Sequence, residues 1–324
     1  MACGGVLLAR DGAVHLSTLS RRSGSYDLPT VIRTLLIDGF HLDAVRRSPG
    51  HVVLNVHRYD RFGVSIAYSI VLFEEAANST ALAGFSKAAE YDRCHPLVVA
   101  PAAPEGVHAI SLERFLSLLG GAVDEAIVRR SDIAGVLNTL GRHTLPEGMA
   151  GDPEDRLEEA VAAALQFLIG DRAHRWGIDR RFEALPDGVV PAAFVLLYDA
   201  KSYSAAYGVD ADDVRRFADY VNEFNRRYGS ILGSVFAFIV VTGEFAHGDD
   251  QHARRSAELY AECRTTLCHI TARALGEMVA LLRGRASLRS TLDWKPLLAR
   301  HSVSLADVEA EVARLERDGL IKKD

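Results

Sequence analysis

The chain has 324 residues, of which 48% are hydrophobic and 25% charged, and its formal net charge is −6. That length suggests two domains or so, and the composition is that of an ordinary globular protein rather than a disordered or fibrous one. No stretch approaches the ~20 apolar residues of a membrane span, and the acidic balance announces no nucleic-acid partner, although phosphate contacts need only a local basic face.

In chain order, the N-terminus MACGGVLLARDGAVHLS has no basic leader before its short apolar patch. No signal peptide is expected, and a cytoplasmic setting with reduced thiols follows. Periodicity then predicts a helix over Leu28–Asp38, strands at His51–Val56 and Val64–Phe73, a helix at Ala81–Tyr91, a strand at Pro96–Ala100 and a helix at Leu112–Leu119. Residues 121–151 read as a connecting region, because GRHTLPEGMAG is loop-like.

Asp152-Pro153-Glu154 is an N-cap, a proline at the first helical position and an acid in the first turn, opening a helix to about Ile169. Strands are expected near Arg181–Ala184, Gly188–Val190 and Ala193–Lys201, then a helix from Ala211 to Tyr228 and a buried strand at Val235–Thr242. A helix at Gln251–Arg264, a strand at Thr266–Ile270 and a helix at Arg273–Arg283 follow. Both halves run helix, strands, helix, strand, so the expected class is α/β with two copies of one core. The expected domains are 1–120, a linker at 121–151, a second core at 152–285 and a helical tail at 286–324. In the tail, Ser304-Leu305-Ala306-Asp307 fits a capping box with Asp for Glu. VEAEVARLERDGLIKK resembles the last helix and turn of winged-helix domains, and it equally suits a C-terminal helix docked on the core.

Cys3, Cys94, Cys263 and Cys268 are too few and scattered for a disulfide framework. Cys263 and Cys268 with His252 and His269 have no recognised zinc spacing, and buried Cys is commonly a small hydrophobe. The arginine pairs 129–130, 180–181, 215–216, 226–227 and 254–255 read mostly as solvated helix faces.

Chemistry concentrates in LPDGVVPAAFVLLYDAKSYS, residues 185–204. The apolar run Ala192–Leu197 suits a strand buried on both faces, and period-two alternation puts Asp199 and Lys201 on one side at its end. Such a buried pair costs desolvation free energy unless a metal ion or a simple ion pair fills the gap. With Asp187 on the neighbouring strand, Asp187 and Asp199 can bridge one Mg²⁺ (or Mn²⁺) ion, and the Ala200 carbonyl is a natural third oxygen. Lys201 can orient a water and offset charge developing on a phosphate.

Pro186-Asp187…Asp199-Ala200-Lys201 resembles the PD-(D/E)xK nuclease motif. The segment Asp199–Ser204 with Tyr207, Ala211–Phe217 and the strand Phe236–Phe245 is similar to the cleavage domain of FokI-like type IIS restriction endonucleases, over about residues 152–285. The resemblance implies an Mg²⁺-dependent endonuclease acting on double-stranded DNA, with Asp187 and Asp199 as ligands and Lys201 beside the attacking water. It also implies a supporting helix acid, for which Glu159 aligns best, with a solvent-facing glutamate as the alternative. Asp212 and Arg216 fit its dimerisation positions, with an ordinary i,i+4 pair as the alternative. A double-strand cut needs two sites, so the resemblance implies a homodimer or a partner subunit, in restriction or repair.

The spacer between Asp187 and Asp199 is shorter than the family's, and the first 120 residues stand where the family carries its DNA-recognition region. Those residues are loosely similar to the Mrr-like restriction-endonuclease fold, through Leu35–Phe40 and Ala67–Glu75. Phe73-Glu74-Glu75 lacks the lysine of an active copy, which implies a degenerate core kept for DNA contact, dimerisation or regulation. The competing reading is a non-catalytic DNA-binding or assembly module in which Asp199 and Lys201 form a structural ion pair.

Overall fold

The computed structural model describes residues 6–8, 28–59, 64–119, 126–169, 173–177 and 185–321. Cys3, the Arg180-Arg181 pair and the strand expected at Arg181–Ala184 lie outside these residues. The chain divides into two compact units, Met1–Ala122 and Val123–Asp324. No helix among the described residues is long and apolar enough to cross a membrane.

The first unit runs β1 (Val6–Leu8), α1 (Leu28–Ile37), β2 (His41–Ser48), β3 (His51–Tyr59), β4 (Ser65–Phe73), α2 (Ser79–Tyr91), β5 (His95–Val99), β6 (Ala109–Ile110) and α3 (Leu112–Leu118). Among the described residues its six strands lie in sequence order, antiparallel from β1 to β4 and parallel from β4 to β6. Leu54, Ile70 and Leu72 face a layer containing Val31 and Leu35 of α1, while Val71 and Phe73 meet Leu82 and Phe85 of α2. The turn from α1 into β2 needs Gly39, whose φ of 86° is left-handed, and Phe40 N–H closes it on the Leu35 carbonyl at 3.0 Å. Sequence reading missed β2, because a bulge between Leu42 and Ala44 breaks the alternation of HLDAVRRS.

The second unit runs α4 (Ile133–Gly141), α5 (Pro153–Ile169), β7 (His174–Arg175), β8 (Gly188–Pro191), β9 (Val195–Lys201), α6 (Ala211–Leu232), β10 (Val235–Thr242), α7 (Asp249–Cys263), β11 (Thr266–Thr271), α8 (Ala272–Leu282), α9 (Ala286–Thr291), α10 (Trp294–Leu298) and α11 (Leu305–Arg317). Its sheet order is β11-β10-β9-β8-β7, with β9, β10 and β11 parallel and β8 antiparallel to β9. The central strands are buried on both faces, as their unbroken apolar runs require. Ala237, Ile239 and Val241 join the core built from α4, α5 and α8. On the other face Phe238 stacks on Phe217 of α6 at 4.5 Å.

The expected α5 start holds, since Asp152 Oδ1 accepts from Glu154 N–H at 2.9 Å and Pro153 opens the helix. One expectation about connections is corrected. The presumed linker carries α4, whose Ile133, Leu137 and Leu140 are fully buried in the core of the second unit. Gly141 opens the stretch expected as a loop, but an added Cβ there would stand 2.6 Å from the Gly243 backbone nitrogen, so the residue permits close helix–strand approach. The tail follows the docked-helix alternative of the sequence rather than the winged-helix one. Leu288, Trp294, Leu297, Val308 and Leu315 enter the same core, and residues 301–303 bond to His269 at the β11 edge at 3.0 and 3.1 Å. Its capping box forms, with Ser304 N–H donating to Asp307 at 2.9 Å.

Candidate active site

Strand pairing brings the acid–lysine group together. β8 pairs with β9 so that Gly188 opposes Tyr198, which places Asp187, one residue earlier, beside Asp199 and Ala200. Asp187 Oδ2 accepts from the Ala200 N–H at 2.6 Å. The Asp187 carbonyl accepts from Trp176 and Gly177 N–H at 2.6 and 3.1 Å, which fixes the turn into β8. Gly188 is required here, because a Cβ would fall 2.2 Å from the His174 carbonyl oxygen and 2.3 Å from the Tyr198 hydroxyl. Asp199 and Lys201 share one side of β9, as alternation demands, and Lys201 Nζ lies 2.6 Å from Asp199 Oδ2.

These groups repel as well as attract. Asp199 is only 2% exposed and Glu158, on α5, only 7%. Burial pushes Asp187 well above the usual carboxylate range, and the charges of Asp199 and Glu158 push it further, against Lys201 and the Ala200 N–H. Burial likewise raises Glu158 to about 7, despite Arg175, with Asp155, Glu154 and Asp199 adding to the rise. Burial works against the Lys201 ammonium, but Asp199 and Asp187 outweigh it and hold the lysine charged. Three mutually repelling carboxylates, with Lys201 beside the two aspartates and Arg175 beside Glu158, are costly as structure and suit a site that receives a cation.

The two neighbouring helix glutamates have different partners. Glu159 pairs with Arg156 at 2.6 Å and with Arg175 at 3.6 Å, whereas Glu158 is the acid whose charge reaches Asp187 and Asp199. Glu158 Oε2 is buried, has no hydrogen-bond donor and lies 3.6 Å from Arg175 Nη2. Hydrophobic periodicity could not choose between the two glutamates, because α5 is buried nearly all round from Leu157 to Leu165. The i,i+4 pair that was the alternative to a dimer role for Asp212 and Arg216 does not form. Asp212 pairs with Arg215, and Arg216 turns instead to Asp213, so no i,i+4 pair joins Asp212 to Arg216. Sequence reading passed over Arg175 and Tyr220, which border the same group, and took Tyr207 only as part of the resemblance.

Among the described residues no three His, Cys, Asp or Glu side chains are grouped to hold a metal ion. That statement covers Cys263, Cys268, His252 and His269, where Cys263 Sγ bonds the Leu259 carbonyl and the two histidine rings stack at 4.1 Å. At the acid–lysine group the donor chemistry nevertheless fits a hard divalent cation. Its atoms are carboxylate oxygens, Asp187 and Asp199 converge, and Glu158 Oε2 is a buried acceptor without a donor.

Residues 147–291 match the family model described as FokI, cleavage domain. The resemblance read over residues 152–285 is therefore found in the same stretch. Among solved structures, restriction endonuclease FokI bound to DNA is similar with 18% identity and a TM-score of 0.40, over 65% of this chain and 37% of that chain. A second structure of restriction endonuclease FokI is similar with 16% identity and the same TM-score of 0.40, over the same 65% and 37%. This chain thus spans little more than a third of those proteins. No curated protein matches it.

Proposed function

We propose that the second unit is a metal-dependent DNA endonuclease, with Asp187, Asp199 and Lys201 as its reacting group. The observation that carries the reading is the convergence of Asp187 from the β8 turn, held on the Ala200 N–H at 2.6 Å, with the Asp199 carboxylate and Lys201 ammonium of β9, themselves 2.6 Å apart, among buried acids that repel one another. The match of residues 147–291 to a nuclease cleavage domain supports it.

Asp187 and Asp199, with the Ala200 carbonyl, are the oxygens proposed to hold Mg²⁺, or Mn²⁺ in its place. Bound there, a divalent cation supplies a Lewis acid for the scissile phosphate and makes water a better nucleophile. Lys201 keeps its proton at Nζ, where it orients the attacking water and offsets charge growing on the phosphate oxygens. The Ala200 N–H and the Trp176 and Gly177 N–H groups hold Asp187 at both ends, so its carboxylate does not need to reorganise. Glu158, whose carboxyl burial raises to about 7, is a group able to take up or release a proton beside the two aspartates. Double-stranded DNA is the proposed substrate, cut by a homodimer or with a partner subunit, in restriction or defence.

Incubating the protein with plasmid DNA, with and without Mg²⁺, tests the reading. Cleavage should need the ion and should vanish in a folded Asp199→Ala variant. An Asp199→Ala variant that loses ~3–5 kcal/mol of stability, in a protein that never cuts, would instead identify a structural ion pair.

A further inference from the structure

The first three turns of α6 carry a feature the proposed chemistry does not yet use. Asp213, Arg216 and Tyr220 are spaced three and four residues apart, so they share one face of the helix. That face looks toward the end of β9, since the charges of Asp199 and Lys201 both act on Arg216, and the charge of Asp199 acts on Tyr220. Asp213 is buried, and three donors converge on its carboxylate. The Tyr207 hydroxyl donates to Oδ2 at 2.7 Å, the Asp210 N–H donates to Oδ2 at 3.3 Å, and Arg216 Nη2 donates to Oδ1.

Tyr207 is itself anchored. Its N–H donates to the Glu244 carbonyl at 2.8 Å, its carbonyl accepts from Ala246 N–H at 2.9 Å, and its ring stacks on Tyr203 at 5.3 Å. The result is a rigid bracket of Tyr207 and Asp213 that fixes the direction of one guanidinium. An exposed i,i+3 ion pair contributes only ~0–1 kcal/mol. A buried tyrosine–aspartate bracket is more than such a pair requires, and it makes sense as a device for aiming Arg216.

Charge explains what the arginine is aimed at. A DNA phosphate approaching Asp187, Asp199 and Glu158 meets three acids, while Lys201 is committed to Asp199 at 2.6 Å and Arg175 lies 3.6 Å from both Glu158 and Glu159. Arg216 engages Asp213 through one nitrogen, and its side chain is 45% exposed. A guanidinium has five N–H donors in a planar fork suited to phosphate oxygens, so several remain for a ligand.

We propose that Arg216, held by the Asp213–Tyr207 bracket, is a phosphate-binding residue of this site that grips the DNA backbone next to Asp199 and Lys201. The inference rests on the nuclease reading and extends it. It also places Arg216 on the substrate rather than on a second protomer.

The test compares Arg216→Gln, Arg216→Lys and Asp213→Asn with Arg215→Gln, which removes the neighbouring exposed arginine. Duplex binding is measured in EDTA across a salt series, and cleavage with Mg²⁺. Losing one phosphate contact should lower the slope of log K against log[salt] by about 1 in Arg216→Gln. Removing a cation that meets charge in the transition state should cut kcat by about 100-fold. Arg216→Lys should keep the slope and recover part of the rate, and Asp213→Asn should keep the slope while lowering kcat, because the charge survives but its aim is lost. Arg215→Gln should leave the rate near that of the wild type.

A folded Arg216→Gln protein with unchanged slope and rate overturns the proposal, as does one whose main defect is loss of a dimer in sedimentation. If the wild-type protein neither binds nor cuts DNA, the nuclease reading falls and takes this inference with it. If the wild type cuts and Arg216→Gln cuts equally well, only this inference falls.

Discussion

Replacing Glu158 by Gln should stabilise the metal-free protein at alkaline pH, although it removes a buried ion-pairing group. Burial, with Asp155, Glu154 and Asp199 adding to it, raises the folded-state pKa from 4.5 to about 7. A folded pKa above the unfolded one means that the folded state holds the proton more tightly. The associated stability is fully present below pH 4.5 and is lost as pH rises through about 7. The gap between 4.5 and about 7 corresponds to about 3 kcal/mol at ~1.4 kcal/mol per pH unit, already net of the Arg175 attraction. Gln keeps the shape and removes the charge, so Glu158→Gln should gain up to about 3 kcal/mol over the wild type at pH 8.5 and almost nothing at pH 4.5. Urea unfolding in EDTA at the two pH values reads the difference as a shift in midpoint at constant m. If Glu158→Gln is instead destabilised at pH 8.5, Glu158 is a satisfied structural partner of Arg175, and the picture of repelling acids awaiting a cation is wrong.

Three further outcomes follow from the packing. Gly276→Ala should destabilise by about 2 kcal/mol despite the ~1 kcal/mol helix preference of Ala, because the new Cβ would stand 2.5 Å from the Ala134 Cα. A thermal melt that moves upward would contradict the close crossing of α4 and α8. Burial depresses the pKa of His269 from 6.5 to about 4, so stability present above pH 6.5 should fall as pH drops through about 4, by up to about 3 kcal/mol in all. A His269→Gln variant should lose that slope, and urea midpoints from pH 7 to 4 check it. Asp210 caps α6 by accepting from the Asp212 and Asp213 N–H groups at 2.8 and 2.9 Å, and Asp210→Ala should cost about 1 kcal/mol in the same unfolding assay.

The features legible in the sequence are those whose causes are local. The caps at Asp152 and Ser304 act on backbone groups within three residues, and both formed as their residue types require. The runs 195–198 and 235–241 are apolar throughout, which only a strand covered on both faces tolerates. Alternation alone put Asp199 and Lys201 on one side, and the contact between them bears that out.

Other features waited for the tertiary structure, because their causes are distant in the chain. Glycine is silent about its reason, so Gly141 looked like a loop signal until Gly243 proved to be its neighbour and α4 proved to be core. The rotational phase of α5 is set by what packs around it, and a helix buried nearly all round carries no polar stripe to reveal whether Glu158 or Glu159 turns inward. Arg216 stands four residues from Asp212 in the sequence, yet a buried Asp213 bonded by Tyr207 captures it, and that partnership exists only once the chain after β9 has folded back over α6. Sequence alone therefore determined which chemical groups the strands carry, whereas the packing of helices on the sheet decided which other charges those groups meet.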